Sequence, residues 1–245
     1  MKAKHSVYNF EQSLERIDNI LKTDYRSYKV LKSIPSRDEL SSTNGFYVMC
    51  TALYVDVRIP SKLSERYHEA TLAKIYRSYI SEVVAILNGN NNCAEVNIEG
   101  NSVWGIFDTP HKEEMDSVLC TAARVSSIID ILNSKYRKKD IDPITVGIGI
   151  DYGRALMIKA GHNGSELDEI VWIGEVINSA SRLCSYGNKR RYDKEVMVSN
   201  VFYNNISADK RELLEWNDTY YCYHGNIMNV YMSEWIEKTA DLILY

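Results

Sequence analysis

The sequence has 245 residues, of which 45% are hydrophobic and 25% are charged, a composition typical of a globular protein with one large domain or one domain plus an extension. Its 29 basic and 33 acidic residues give a formal net charge of −4, which argues against nucleic-acid binding through a strongly basic surface but permits a local phosphate pocket. The N-terminus lacks the apolar core of a signal peptide and no apolar run is long enough to cross a bilayer, so we expect a cytoplasmic protein without a membrane partner.

The cysteines predict neither a disulfide framework nor a zinc site. Their number is odd, their spacing is wide, and no CxxC pair is present. Most lie in apolar runs, which favours buried free thiols in a reducing compartment. The five are Cys50, Cys93, Cys120, Cys184 and Cys222.

Residues 1–44 predict a helical N-terminal extension. Within residues 9–23, apolar side chains recur at helical spacing and form one stripe. Such a stripe packs either on the main domain or on a partner chain, and the pattern does not distinguish the two. The stripe comprises Phe10, Leu14, Ile17 and Leu21.

The main body starts with an apolar, aromatic and β-branched run at residues 46–57, typical of a buried central strand. A helix is predicted from about Leu63 to Leu87, ended by the turn-forming NGNNN. Residues 94–108 then predict a hairpin that turns at Gly100-Asn101.

The next segments alternate between helix and strand. Residues 112–136 predict an amphipathic helix whose acidic first turn suits the helix dipole. Residues 144–161 predict two strands joined through residues 151–153, and residues 168–174 predict another strand. A short helix follows over residues 175–187, closed by a glycine.

A strand at residues 194–200, a helix, and a final hairpin within residues 219–232 complete the predicted elements. Strands alternate with helices, and hairpins interrupt the alternation. This order indicates an α+β protein with helices packed on one face of a sheet.

Three side chains suggest chemistry. Asp56 ends an apolar strand, where a buried unpaired carboxylate would cost several kcal/mol, so it should either face solvent or bind a cation. Asn178 and Arg182 are four residues apart and share a helix face. That pair could clamp ribose and phosphate, although an exposed polar face is the simpler alternative.

Four stretches together resemble the class III nucleotidyl cyclase catalytic domain, from about residue 46 to residue 232. ALYVDVRIPSKLS resembles the first metal-binding strand and phosphate loop, and NIEGNSVWGIF the hairpin that carries a second metal-binding Asp. VGIGIDYGRALMIKAG is similar to the central hairpin. VWIGEVINSASRL is similar to the segment with the ribose-orienting Asn and the transition-state Arg.

The resemblance implies a ferredoxin-like, α+β class III cyclase fold. Its central sheet would be mostly antiparallel, with helices packed against it, and residues 45–245 would form the catalytic domain. Family members form a head-to-tail homodimer, in which one subunit provides the metal ligands and the other the Asn and Arg. Asn178 would then orient the ribose, and Arg182 would stabilise the pentacoordinate phosphate.

By the same resemblance, Asp56 and the carbonyl of Val57 would bind two divalent cations, Mn²⁺ or Mg²⁺. Asn101 stands where the family usually has the second Asp. An amide oxygen can bind a metal but brings no negative charge. Asn101 could be a natural variant that keeps activity, helped by Glu99. It could also mark a natural pseudoenzyme or an engineered inactivating change.

The positions with which purine cyclases read adenine hold Asn97 and Val171 instead of Lys and Asp or Thr. WGIFDTP, ALMIKAG and VW-x-G-x-V-x-N resemble the pyrimidine cyclases of the bacterial Pycsar antiphage system. This resemblance implies conversion of UTP or CTP to 3′,5′-cUMP or 3′,5′-cCMP and pyrophosphate. The product would activate a separate effector, without direct binding between the two proteins.

The same resemblance places Tyr54 and Asn97 at the base, although core packing would equally explain Tyr54. Arg58, Lys62 and Lys159 lie in segments that contact phosphate in the family, and a snorkelling lysine is the alternative for Lys159. Two other functions compete: an adenylate cyclase with a divergent base pocket, and an inactive cyclase-fold nucleotide-binding protein.

Overall fold

The structure is a computed structural model that describes residue 5 and residues 7–58, 66–162 and 167–241. Lys62, predicted to contact phosphate, lies outside the described residues. Strands account for the central layer: β1 (Tyr28–Val30), β2 (Gly45–Arg58), β3 (Cys93–Glu99), β4 (Ser102–Asp108), β5 (Thr145–His162), β6 (Leu167–Ile173), β7 (Val196–Val198), β8 (Glu215–Asn217) and β9 (Cys222–Gly225).

Helices flank that layer. They are α1 (Phe10–Leu21), α2 (Glu69–Asn88), α3 (Lys112–Arg137), α4 (Glu175–Tyr186), α5 (Asn200–Asn205), α6 (Ala208–Arg211) and α7 (Val230–Asp241), with 3₁₀ turns at Tyr25–Ser27 and Arg37–Glu39. In the described ranges, no helix combines the length and apolarity that a membrane crossing requires.

The strands form one mixed sheet in the order β3-β4-β2-β5-β7-β9-β8, with β1 beside β2 and β6 beside β5. β1 and β2 are parallel, as are β5 and β7, and the other pairs are antiparallel. The predicted α+β class with a mostly antiparallel sheet is therefore confirmed.

The prediction of two strands within residues 144–161 is wrong. β5 is one continuous strand of 18 residues, and it pairs with β2 along the full length of β2. The Asp151-Tyr152-Gly153 segment has the composition of a turn, but it stays in the ladder opposite residues 50–52. Tertiary pairing overrides the local turn preference here.

Helices cover both faces of the sheet, not one as predicted. Leu53, Val55 and Val57 of β2 lie in a core with α2 and α3. The alternate residues Ala52 and Tyr54 lie in a second core with α4. A strand that is buried on both sides has no polar face, which explains the continuous apolar run at residues 46–57.

The C-terminal hairpin was also predicted at the wrong place. β9 pairs with the upstream strand β8, and residues Val230–Asp241 form α7. Upstream, α2 begins at Glu69, and the predicted helix start near residue 63 lies outside the described residues.

The apolar stripe of α1 is not buried against the described part of the chain. Its four side chains are between 49% and 77% exposed. By contrast, the later part of the N-terminal segment packs on the sheet, since β1 pairs with β2 and Leu40 is buried in the α4 core. The five cysteines are free thiols, and Cys50, Cys184 and Cys222 are buried.

Candidate active site

The sheet face that carries α4 presents three neighbouring rows of cross-strand partners from β3, β4, β2 and β5. The first row, here the metal row, contains Glu99, Ser102, Asp56 and Gly147. The second, the base row, contains Asn97, Trp104, Tyr54 and Gly149. The third contains Glu95, Ile106, Ala52 and Asp151. Successive rows are two residues apart along each strand, or about 7 Å.

α4 lies close to this face because β5 carries glycines beneath it. A Cβ at Gly149 would clash with the carbonyl oxygen of Ala180, and one at Gly147 would clash with that of Cys184. Gly147 also leaves room for Arg58, whose Nη2 would be only 2.8 Å from such a Cβ. The GIG sequence of β5 thus brings helix backbone directly onto strand backbone.

Asp56, in the metal row, is partly buried, with a side chain 21% exposed. Its Oδ1 accepts a hydrogen bond from the Ser102 hydroxyl at 3.1 Å. Its Oδ2 forms an ion pair with Arg58 Nη1 at 2.6 Å. Arg58 also donates from Nη2 to the Cys184 carbonyl at 2.7 Å. The guanidinium predicted to contact phosphate therefore joins the metal-ligand candidate to α4.

Asn101 lies next to Val57, whose backbone carbonyl is the other predicted cation ligand on β2. Gly100 adopts φ 61°, a left-handed conformation that favours glycine in a tight hairpin turn. The turn directs Asn101 Nδ2 to the carbonyl oxygen of Val57, at 3.1 Å. Asp56, Val57 and Asn101, all predicted from the sequence, are thus brought together by β2 and the β3–β4 hairpin.

These groups suit a hard divalent cation, because carboxylate, backbone carbonyl and amide oxygens are the ligands that Mg²⁺ and Mn²⁺ prefer. Arg58 already places positive charge against Asp56, which is consistent with a cation-binding position. In the ranges the structure covers, no three His, Cys, Asp or Glu side chains form a metal-binding group. Such a site therefore depends on the amide of Asn101 and the carbonyl of Val57.

Asn178 and Arg182 share the outer face of α4, as predicted. The opposite face packs Val176, Ile177 and Ala180 into the sheet core. The Arg182 side chain is 53% exposed, and both Nη atoms donate to Glu175 Oε1 at 3.3 Å. Within the described part of one chain, neither side chain forms a hydrogen bond or ion pair with the metal-ligand candidates.

Tyr54, in the base row, is 8% exposed. Its ring stacks on Trp104 with centroids 5.1 Å apart and planes within 5°. Burial, with a contribution from nearby Glu99, raises the pKa of the Tyr54 phenol well above its usual range, so the hydroxyl stays protonated. The Trp104 indole N–H has no hydrogen-bond partner among the described residues.

A cavity of about 400 Å³ opens at the far end of the base row, within the usual range for small-molecule sites. It brings together two of the predicted substrate-binding residues, Asn97 and Lys159. Lys159 Nζ forms an ion pair with Asp168 Oδ2 at 2.9 Å, which places its charge at the cavity and not in the core. The lining includes Arg37, Glu95, Asn97, Lys159, Asp168 and Ile170.

Sequence reasoning missed Glu95 and Arg37. Glu95, Asn97 and Glu99 alternate along β3, and this period of two could have marked one polar face of the strand. Arg37 carries no such signal, because it lies in a 3₁₀ turn of the N-terminal segment. Only the fold brings it to the cavity.

The chain matches the family model of the adenylate and guanylate cyclase catalytic domain over residues 46–232. A uridylate cyclase of Gulbenkiania mobilis is 36% identical, over 97% of this chain and 99% of the relative. One of Treponema porcinum is 31% identical, over 94% and 82%. The crystal structure of the adenylyl cyclase CyaB from P. aeruginosa superposes with a TM-score of 0.60 at 20% identity, covering 70% of this chain and 85% of that one.

Proposed function

Because this chain belongs to the adenylate and guanylate cyclase catalytic domain family, we propose that it is a pyrimidine nucleotide cyclase that converts UTP, in preference to CTP, to 3′,5′-cUMP and pyrophosphate. The observation that carries the proposal is the similarity, over nearly the whole chain, to two uridylate cyclases at 36% and 31% identity. The replacement of both adenine-reading positions, by Asn97 and Val171, argues against ATP as the substrate.

The residues of the chain divide the work of cyclisation between alignment and charge neutralisation. Asp56, the Val57 carbonyl and Asn101 would hold the cations, for which we propose two Mn²⁺ or Mg²⁺ ions per site. When bound, such ions activate the ribose 3′-hydroxyl and neutralise charge on the phosphate oxygens. Asn178 would hold the ribose so that its hydroxyl faces the α-phosphate. Arg182 would donate to the phosphate oxygens on which negative charge develops.

We propose that two chains form the head-to-tail homodimer, each completing the other's site. The exposed positions of Asn178 and Arg182, on the side of α4 away from the sheet, support this arrangement. Mixing Asp56→Asn with Arg182→Ala chains tests it, since one site of each mixed dimer would be intact. Random mixing should restore about a quarter of wild-type activity from two inactive variants. No recovery, with mixed dimers shown by native mass spectrometry, would exclude complementary sites.

Product identification tests the proposed reaction. The protein and its Asn101→Asp variant are incubated separately with UTP, CTP, ATP and GTP and Mn²⁺, with Asp56→Asn as the inactive control. Cyclic UMP as the main product supports the proposal. Cyclic AMP would favour an adenylate cyclase with a divergent pocket. If neither form cyclises any nucleotide, the protein would be a cyclase-fold nucleotide-binding protein, which the Asn at position 101 favours among the alternatives.

We further propose that residues 45–245 form the catalytic domain and residues 1–44 its extension, and that the protein acts in the cytoplasm. The cyclic nucleotide would be a second messenger in antiphage defence and would activate a separate effector. This proposal rests on the resemblance to Pycsar cyclases. Extracts taken before and after phage infection should then differ in cUMP content, with Asp56→Asn cells as the control.

A further inference from the structure

Glu95 is a buried carboxylate at the cavity, with a side chain 6% exposed. Three donors hold it. Asn97 Nδ2 donates to Oε1 at 3.2 Å, while Trp172 Nε1 donates to Oε2 at 3.1 Å and Arg37 Nη2 forms an ion pair with Oε2 at 2.9 Å. A carboxylate taken out of water needs such partners. The three contacts therefore fix its position and orientation.

The contact with Glu95 fixes the direction of the Asn97 amide. An asparagine side chain has one donating and one accepting end, and Glu95 can only accept. The donating end therefore faces Glu95, and Asn97 Oδ1 is left without a hydrogen bond in the part of the chain that the structure describes. Since Asn97 lines the cavity, it offers an acceptor to a bound group.

Uracil and cytosine differ at N3, the ring atom that would face such an acceptor. Uracil N3 carries a hydrogen and donates, whereas cytosine N3 is a lone pair and accepts. Opposite Asn97 Oδ1, uracil would gain a hydrogen bond, while cytosine would place two acceptors against each other. Lys159, on the same cavity, can donate to the carbonyl oxygens of the base.

We propose that Glu95, held by Arg37 and Trp172, is a positioning residue that keeps the Asn97 carbonyl oxygen towards the base and so selects uracil over cytosine. This inference rests on the proposed function for the identity of the ligand. It also gives residue 37, from the N-terminal segment, a part in base selection.

The test measures UTP against CTP in Glu95→Gln and Arg37→Gln. Glu95→Gln keeps the shape of the side chain but lets it donate as well as accept, so the Asn97 amide can turn over. We expect the ratio of kcat/KM for UTP to that for CTP to fall about tenfold or more, the effect of one mispaired hydrogen bond. Arg37→Gln should lower it less, because Trp172 still holds Glu95. Arg37 is 63% exposed, so this variant also covers the case in which Glu95→Gln does not fold.

Lys238→Gln is the control, because it removes only an exposed ion pair with Glu234 on α7 and should leave the ratio unchanged. Equilibrium binding of 3′-deoxy-UTP and 3′-deoxy-CTP, which lack the attacking hydroxyl, gives the same ratio without turnover. If both site variants keep the wild-type ratio within twofold in either assay, the inference is overturned. Absence of cyclic product from wild-type protein would overturn the proposed function alone, since the binding ratio still tests base selection.

Discussion

Replacing Asn101 by Asp should destabilise the metal-free protein and strengthen its response to Mn²⁺. Asn101 Nδ2 donates to the Val57 carbonyl at 3.1 Å. An aspartate there has no donor and places a charged oxygen against the carbonyl oxygen. When a cation lies between residue 101 and the Val57 carbonyl, the charged aspartate oxygen is a better ligand than the neutral asparagine oxygen.

The expected size follows from that contact. Loss of one hydrogen bond costs about 1 kcal/mol, and the opposed oxygens raise the total to about 1–2 kcal/mol, kept small because residue 101 is exposed. For a chain of this size, that corresponds to a fall in Tm of about 2–8 °C in chelator. Each tenfold gain in Mn²⁺ affinity returns about 1.4 kcal/mol at saturation, so the variant should equal or exceed wild type in Mn²⁺.

Thermal unfolding with chelator and with a Mn²⁺ series measures both effects without turnover. Asn205→Asp is the matched control, because Asn205 Nδ2 also donates to a backbone carbonyl, that of Val201 at 2.8 Å. The control should lose stability equally in both conditions. If Asn101→Asp is as stable as wild type in chelator, the hydrogen bond to Val57 does not contribute to stability. If it gains no more from Mn²⁺ than wild type, residue 101 is not a cation ligand.

Three further outcomes are expected. Arg58→Gln removes the ion pair that a cation at Asp56 must displace, so calorimetry should show Mn²⁺ binding about fivefold tighter, the equivalent of about 1 kcal/mol; equal or weaker binding would refute the competition. Arg182→Ala should lower kcat about 10²- to 10³-fold with an unchanged Tm, because the side chain is exposed. A lower Tm would instead indicate a structural role. Burial lowers the pKa of His224, so the unfolded chain binds more protons and stability is lost as pH falls below about 6.5. Urea unfolding at pH 7.5 and 5.5 should show that His224→Gln loses less stability between the two pH values than wild type does. An equal loss in both proteins would contradict this.

Asp56, Val57 and Asn101 were accessible from the sequence through the resemblance to the cyclase family, because the residues alone indicate only an acid near a strand end and a hairpin turn. The pairing that brings β2 beside β4 follows from two apolar strands in one α+β sheet. Their roles as ligands remain predictions, and their proximity depends on that long-range pairing.

The errors have a common physical origin in long-range pairing. The Asp151-Tyr152-Gly153 segment has turn composition, yet β2 holds it in an extended ladder. The ion pair between Arg37 and Glu95 joins a 3₁₀ turn to a distant strand, and no periodicity links such positions. The role of Arg58 was also hidden, because its contact with Cys184 exists only once α4 lies on β5.

The glycine pair beneath α4 sets the height of that helix by main-chain contact alone. In a core, a larger side chain can be compensated by a smaller neighbour, but main-chain atoms are the same in every sequence. The distance of Asn178 and Arg182 from the sheet is therefore fixed by main-chain contacts, which substitutions elsewhere in the layer do not change. A single methyl group at Gly149 would lift the helix, and displacements near 1 Å at reacting groups can slow catalysis about a hundredfold.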